Sequence, residues 1–282
     1  MAPHFQDEKK GENHQDQPND PPPPYSPQAA VEAGPSTQPQ QQPRQKNIPR
    51  QFPPAFSMYN ESSFGQRKYM IGEHQSTPLY AVSLHSGWSG QPDVVLHNGP
   101  SDNRPPLAGV ERDSWSNSAT ITLPVLPGSG TQAKTERLES TGGFGHPAYT
   151  FSVEAGSGNR REAFEWRHTS GSAVASLGGR SSGWKLLRLS TDAPSGVVGG
   201  GSGKFVGGGA SSSDGKEVVA VWAWASGSLT KVFKFQFLGS GANGVLGERW
   251  AIMAVATALK IWDRERRARN SSAAGAGGGA GA

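Results

Sequence analysis

Apolar residues between positions 56 and 238 recur in short runs broken by Gly, Pro, Ser and Asn clusters, the pattern of strands joined by turns. The runs fall at 68–71, 79–84, 93–97, 107–111, 119–125, 149–154, 162–168, 173–177, 184–190, 216–225 and 230–238. Several alternate with period two, as a sheet with one buried face requires. In 162–168, Phe164 and Trp166 share a face while Glu165 and Arg167 take the other. In 230–238, Phe233, Phe235 and Phe237 line one face. The run 216–225 is apolar on both faces, with Trp222 and Trp224 together, which predicts a strand covered on both sides. Ser226, Gly227 and Ser228 between the last two runs predict a hairpin loop.

The pattern then changes period. Residues 248–269 (ERWAIMAVATALKIWDRERRAR) read as a helix that is apolar on nearly every side. Trp250, Ile252, Met253, Val255, Leu259, Ile261 and Trp262 do not fall on one stripe, and alanines fill the gaps. Such a helix is enclosed, in a core or in a bilayer. From Trp250 to Trp262 it reaches only about 20 Å, whereas a bilayer core takes about 20 residues. Lys260 and Thr257 also interrupt the run. A buried core helix is therefore predicted, and a lone enclosed helix after many strands predicts a β-barrel wrapped around its own C-terminus. Arg264, Arg266, Arg267 and Arg269 are expected where the helix leaves the barrel, at the negative pole of its dipole.

Composition adds tails to this domain. Residues 1–55 are rich in Pro, Gln, Asp and Asn and are predicted to be disordered. The barrel domain is placed at 56–269, with a flexible Gly/Ser-rich insertion at 191–213 and a Ser/Ala/Gly tail at 270–282. The chain has 282 residues and no cysteine, which excludes disulfides, thiolate metal sites and cysteine nucleophiles. Without an apolar stretch near the N-terminus, a cytoplasmic chain is expected, and the N-x-S matches at Asn60 and Asn270 then carry no meaning. Residues 1–55 carry 5 basic and 6 acidic side chains and the remainder 22 and 17, so the folded part is the cationic one. No dense basic block interleaves with aromatics, and no nucleic-acid partner is expected.

Strands followed by one apolar C-terminal helix, together with the wording of several segments, resemble the tubby C-terminal-like superfamily. The segments are Tyr69-Met70-Ile71-Gly72-Glu73-His74, Pro78-Leu79-Tyr80-Ala81-Val82 and His85-Ser86-Gly87-Trp88-Ser89-Gly90. Phe164-Glu165-Trp166-Arg167-His168, the stretch from Ser176 to Leu186, and the helix from Glu248 complete them. That superfamily includes the tubby, LURP-one-related and phospholipid scramblase proteins, and the wording is closest to filamentous-fungal members. The resemblance covers about residues 56–269. It implies a mainly β fold: a twelve-stranded antiparallel barrel around a central hydrophobic helix. In some members it also implies phosphoinositide or membrane binding. No palmitoyl anchor is available without cysteine, no Asp-rich calcium loop is present, and no phosphoinositide-binding residue of tubby can be matched here.

The remaining motifs are short. Pro22-Pro23-Pro24-Tyr25 fits the P-P-x-Y ligand of WW domains, because adjacent prolines pre-form the PPII helix that docks. Gly179-Arg180-Ser181-Ser182-Gly183 matches G-x-S-x-G, but a strand-like run follows and no histidine lies downstream, so it reads as a turn. Residues 199–204 (GGGSGK) lack the first glycine and the final Ser/Thr of a phosphate loop. His74, His85, His97 and His168 show no ligand spacing, and neither metal nor cofactor is expected. Arg180, Lys185 and Arg188 surround one Gly-rich turn and strand, either as an anion-binding rim or as solvated strand charge. Arg264, Arg266 and Arg267 are read likewise, as a solvated terminus or a lipid-headgroup contact. The expected function is a non-enzymatic cytoplasmic binding module, peripheral at a membrane, that touches phosphoinositide or anionic lipid. The alternative is an adaptor recruiting a WW-domain protein through Pro22, Pro23 and Tyr25.

Overall fold

A computed structural model of the chain describes residues 51–61, 68–87, 89–123, 134–142, 147–156, 160–190, 212 and 215–276. The strands are β1 (Ala55–Glu61), β2 (Lys68–Gly72), β3 (Tyr80–Leu84), β4 (Val94–His97), β5 (Pro106–Arg112) and β6 (Ala119–Leu123). They continue as β7 (Lys134–Ser140), β8 (Ala148–Ala155), β9 (Arg160–Thr169), β10 (Gly183–Arg188), β11 (Val218–Trp224) and β12 (Lys231–Phe237). Each pairs antiparallel with its neighbour in sequence, and β1 pairs with β12 to close a twelve-stranded barrel. Closure aligns Phe56 with Phe235 and Met58 with Phe233, with a bulge between Met58 and Tyr59. Among the described residues three helices complete the fold: α1 (Ser172–Ala175), α2 (Gly239–Ala242) and α3 (Glu248–Ala276).

The expected barrel around a C-terminal helix is thus observed. One core contains the inward residues of the strands together with Trp250, Ile252, Met253, Val255, Leu259, Ile261 and Trp262 of α3. Every residue from Ile252 to Asp263 is buried, which is what an all-round apolar segment requires. The alternation read in the chain holds: Phe164 and Trp166 of β9, and Phe233, Phe235 and Phe237 of β12, all enter this core. β11 is covered on both faces. Val219, Trp222 and Trp224 face α3, while Val218, Val221 and Ala223 join Leu187 and Val174 in a second cluster under α1.

Several expectations need correction. Residues 173–177 are not a strand: Ser172–Ala175 turn into α1, whose Val174 side chain covers β10 and β11. A run too short to pair was therefore apolar for packing reasons alone. Two strands, β1 and β7, went unpredicted. The buried positions of β7 hold one leucine, Leu138, and a carboxylate, Glu136, which Arg161 bonds, so no hydrophobic alternation shows. Finally, α3 does not stop at Arg269 but continues through Ala276. Alanine and serine prolong a helix at little cost, and Arg264–Arg269 consequently lie before its last turn, away from the dipole's pole. Of the tail predicted at 1–55, Phe52 is buried in the core and β1 already begins at Ala55, while residues 1–50, the Pro22–Tyr25 motif and most of the 191–213 insertion lie outside the described residues.

Because neighbouring strands alternate in direction, the loops that follow odd-numbered strands share one end of the barrel. α3 starts at the opposite end, where Arg249 reaches Glu154 on β8 at 3.3 Å. That end is packed with polar groups. Arg188 holds Glu162 at 2.6 and 2.8 Å, and Glu217 accepts from the Ser240 backbone N–H at 2.7 Å and from its hydroxyl at 2.9 Å. Halfway along, the Trp166 indole donates to Thr257 Oγ1 at 2.9 Å, and Thr257 donates to the Met253 carbonyl at 2.8 Å. This chain of bonds satisfies the hydroxyl inside an apolar core and fixes the rotation of the helix. Where α3 leaves, Glu265 accepts from the Trp184 indole at 2.7 Å and the Trp224 indole at 2.6 Å.

A charge placed on α3 inside the barrel has no partner and no water. Ile252→Asp or Leu259→Asp is expected to abolish cooperative unfolding, since an unpaired buried carboxylate costs several kcal/mol against a domain stability of about 5–15 kcal/mol. Circular dichroism and thermal melts check this, and a soluble mutant with a sigmoidal melt would place the helix elsewhere.

Candidate functional site

Past Thr257 the helix acquires charge with helical spacing. Lys260, Asp263, Arg264 and Arg267 stand at i, i+3, i+4 and i+7, on a common face. This face meets the start of β4, the end of β5 and the β5–β6 loop at the barrel mouth. Between them lies a pocket of about 220 Å³, lined by these four residues and by Asp93, Val94, Val110, Arg112, Ser116 and Asn117. Cations outnumber carboxylates four to two around it. Such a volume accommodates a headgroup or small metabolite and falls below the range of about 300–1,000 Å³ typical of drug-sized ligands.

Each side chain is held from behind. The Lys260 ammonium donates to the Asn117 carbonyl and lies 4.6 Å from the centre of the Tyr149 ring. Arg264 Nε donates to Asn117 Oδ1 at 3.0 Å, so two consecutive turns of α3 grip one loop residue. Asp263 is fully engaged. Its Oδ1 accepts from Arg266 at 2.6 and 3.1 Å and its Oδ2 from Arg267 at 2.6 Å. Arg267 Nη2 also lies 3.4 Å from the His85 carbonyl. Asp93 Oδ2 accepts the Arg112 backbone N–H at 2.9 Å. Asp93 Oδ1, although buried, accepts no hydrogen bond, and the Arg112 and Arg267 guanidiniums stand 3.5 Å from it.

Burial is the dominant electrostatic fact. Lys260 is 5% exposed, and its pKa is pushed down to about 8, first by desolvation and then by the Arg264 charge. Burial pushes the Tyr149 phenol up, while Arg264 pulls it the other way. On the rim, hydrogen bonds from Arg137 hold the Asp113 carboxyl below the usual range. A pocket with this surplus of cations, of which Lys260 alone is buried, suits an anion, and its guanidiniums match the oxygens of phosphate or carboxylate.

The residues expected from the sequence separate into groups. Arg264 and Arg267 line the pocket. Arg266 does not: it is buried against Asp263 and over the Trp262 ring at 5.8 Å, so it is neither solvated nor at the rim. Arg188 is likewise removed from any rim, because Glu162 holds it in the interior at the far end of the barrel. Lys185 is half-buried on β10, and Arg180 is exposed in the turn before β10, its backbone N–H on the Trp224 carbonyl at 2.9 Å. Arg180 and Lys185 do not reach the pocket. The turn at 179–183 runs into strand β10, as the reading against a nucleophile elbow required. Sequence reasoning missed Arg112, Lys260, Asp93 and Asn117 as site residues. The i, i+4, i+7 spacing of Lys260, Arg264 and Arg267 was the available signal, whereas Arg112 and Asp93 join them only through the barrel's closure.

His97, bonded to Ser83 Oγ at 3.0 Å and to the Arg104 carbonyl at 3.1 Å, serves packing on the outer wall. Among the described residues no group of three or more His, Cys, Asp and Glu could hold a metal ion, and no helix is long and apolar enough to cross a membrane. No family model matches the chain, no curated protein matches it, and no solved structure matches the fold.

A lysine whose folded pKa lies below its ordinary value opposes folding while it is charged. The opposition is complete below about pH 8 and fades as pH rises toward 10.5, so stability rises across that window. Lys260→Met is expected to stabilise the domain at pH 7 by on the order of 1–2 kcal/mol, after losing the bond to Asn117, with the gain shrinking above pH 8. Urea unfolding at pH 7 and pH 10 reads the difference. An equal or lower stability of the mutant at pH 7 would show that the charge costs nothing where it sits.

Proposed function

We propose that this protein is a non-enzymatic binding module whose barrel-mouth pocket takes a phosphate group, above all the headgroup phosphate of an anionic lipid such as a phosphoinositide. The observation that carries this reading is the convergence of Arg112, Lys260, Arg264 and Arg267 on one pocket of about 220 Å³. Asp263 is saturated by Arg266 and Arg267, and Asp93 offsets only part of the remaining charge. The burial of Lys260 raises the value of each contact, since charges interact more strongly away from water. A barrel closed around a helix is also the architecture that the tubby-like resemblance implies, and lipid binding by some members of that superfamily motivates the same class of ligand here.

Calorimetry with a soluble inositol trisphosphate and with inorganic phosphate tests the pocket at low salt. Micromolar to millimolar binding that weakens with added salt is expected. Arg264→Gln should weaken it by about tenfold, the worth of one charge-assisted hydrogen bond. Affinity should fall as pH rises through about 8, where Lys260 loses its proton. Heat-silent titrations with both anions at low salt would refute the reading.

The chain also carries Pro22-Pro23-Pro24-Tyr25, and a second reading follows from it: an adaptor that recruits a WW-domain protein. A Tyr25→Ala peptide should lose WW-domain binding by at least about tenfold in a fluorescence-polarisation titration. Equal binding by both peptides would remove the adaptor reading.

A further inference from the structure

The residue beside the pocket is the most exposed tryptophan among those described. Trp115, at the tip of the β5–β6 loop, is 99% exposed, whereas the adjoining Ser116 and Asn117 line the cationic pocket. Trp166, Trp184, Trp222, Trp250 and Trp262 are all buried in the barrel.

This loop is braced, which separates it from a loose surface turn. The Asp113 N–H donates to the Ser118 carbonyl at 3.2 Å, closing the loop across its base. Ser116 Oγ donates to Asp113 Oδ2 at 3.0 Å and accepts the Ser118 N–H at 3.1 Å. Arg137 on β7 grips Asp113 from the side. Asn117 is fastened to α3 at both of its oxygens, by Lys260 and Arg264. The indole is thus presented to solvent on a frame fixed by the pocket's own cations. Leu229, fully exposed on the β11–β12 loop, opens at the same end by the alternation of the strands.

We propose that the barrel mouth docks on an anionic lipid bilayer, with Trp115 seated in the interfacial layer and the adjoining cationic pocket over the lipid phosphates. The proposal rests on the phosphate-binding reading of the same pocket and adds the surface and the orientation. Charge complementarity selects the partner: Arg112, Arg264 and Arg267 oppose a sheet of phosphates, and an amphipathic indole favours the boundary between headgroups and acyl chains. An anchor of this kind supplements the electrostatic attraction, as stable peripheral binding takes two signals. Because the loop is already ordered, docking costs little conformational entropy.

The test compares the full chain with Trp115→Ala by co-sedimentation with vesicles of phosphatidylcholine containing phosphatidylserine, and by calorimetry with inorganic phosphate. The wild type is expected on the anionic vesicles and not on pure phosphatidylcholine, and its tryptophan emission should shift to the blue on binding. Trp115→Ala should lose vesicle binding by about tenfold or more and bind phosphate as the wild type does. Vesicle binding unchanged by Trp115→Ala would overturn the anchor. So would equal losses toward vesicles and phosphate, since the loop would then only shape the pocket. A wild type that binds phosphate but no vesicles overturns the docking and leaves the pocket standing, whereas one that binds neither removes the pocket reading as well.

Discussion

An apolar helix with no polar face cannot rest on a surface, and the whole molecule is arranged around that constraint. Between Ile252 and Asp263 every side of α3 is buried. A sheet on one side would leave the rest of its circumference in water, so the strands must surround it completely. Closure of β1 on β12 meets this requirement and removes the unpaired edges that an open sheet would present. The helix in turn fills a lumen that twelve strands leave too wide for their own side chains. Trp166, Trp222, Phe233 and Phe235 from the wall and Trp250 and Trp262 from the helix supply the volume.

Enclosure also dictates where polar groups can go. Within the lumen a hydroxyl survives only when bonded, as Thr257 is to Trp166 and to its own helix. At the ends of the barrel, ions replace apolar contacts. One end holds Arg188 between Glu162 and Glu217. At the mouth, Glu265 takes the indoles of Trp184 and Trp224, and Asp263 takes Arg266 and Arg267. Against these, Lys260, Arg264 and Arg112 leave an excess of positive charge around a cavity.

Legibility in the sequence follows the range of the interaction. The enclosed helix, the two-faced β11 and the inward phenylalanines of β12 were readable, because each is a periodicity inside one segment. β7 was hidden because its buried face carries Glu136, whose partner Arg161 lies on β9, two strands away around the barrel. β1 follows a proline-rich stretch, and its role depends on residues at the other end of the domain, with Phe56 stacked on Phe235 at 4.8 Å. The run 173–177 looked like a strand because its apolar residues pack on β10 and β11 through α1. For the pocket, the helical share, Arg264 and Arg267, stood in the sequence. Arg112 and Asp93 come from strands far away in the chain, and no local pattern announces them.

Lys260 belongs both to the enclosed helix and to the pocket at the mouth. Its position belongs to the stretch that must be enclosed, yet its ammonium reaches the mouth and bonds the loop that carries Trp115. A methionine would fill the same space without the desolvation that pushes its pKa down to about 8. Tyr149 under the ammonium and Asn117 in front of it offset that burial without neutralising the charge. Lys260 is a buried cation beside the pocket with no carboxylate bonded to it, a destabilised group that the proposed anion would stabilise. Its stabilisation on binding would pass directly to the 113–118 loop through Asn117, so the pocket, the loop and the exposed indole form one connected unit mounted on the helix that organises the barrel.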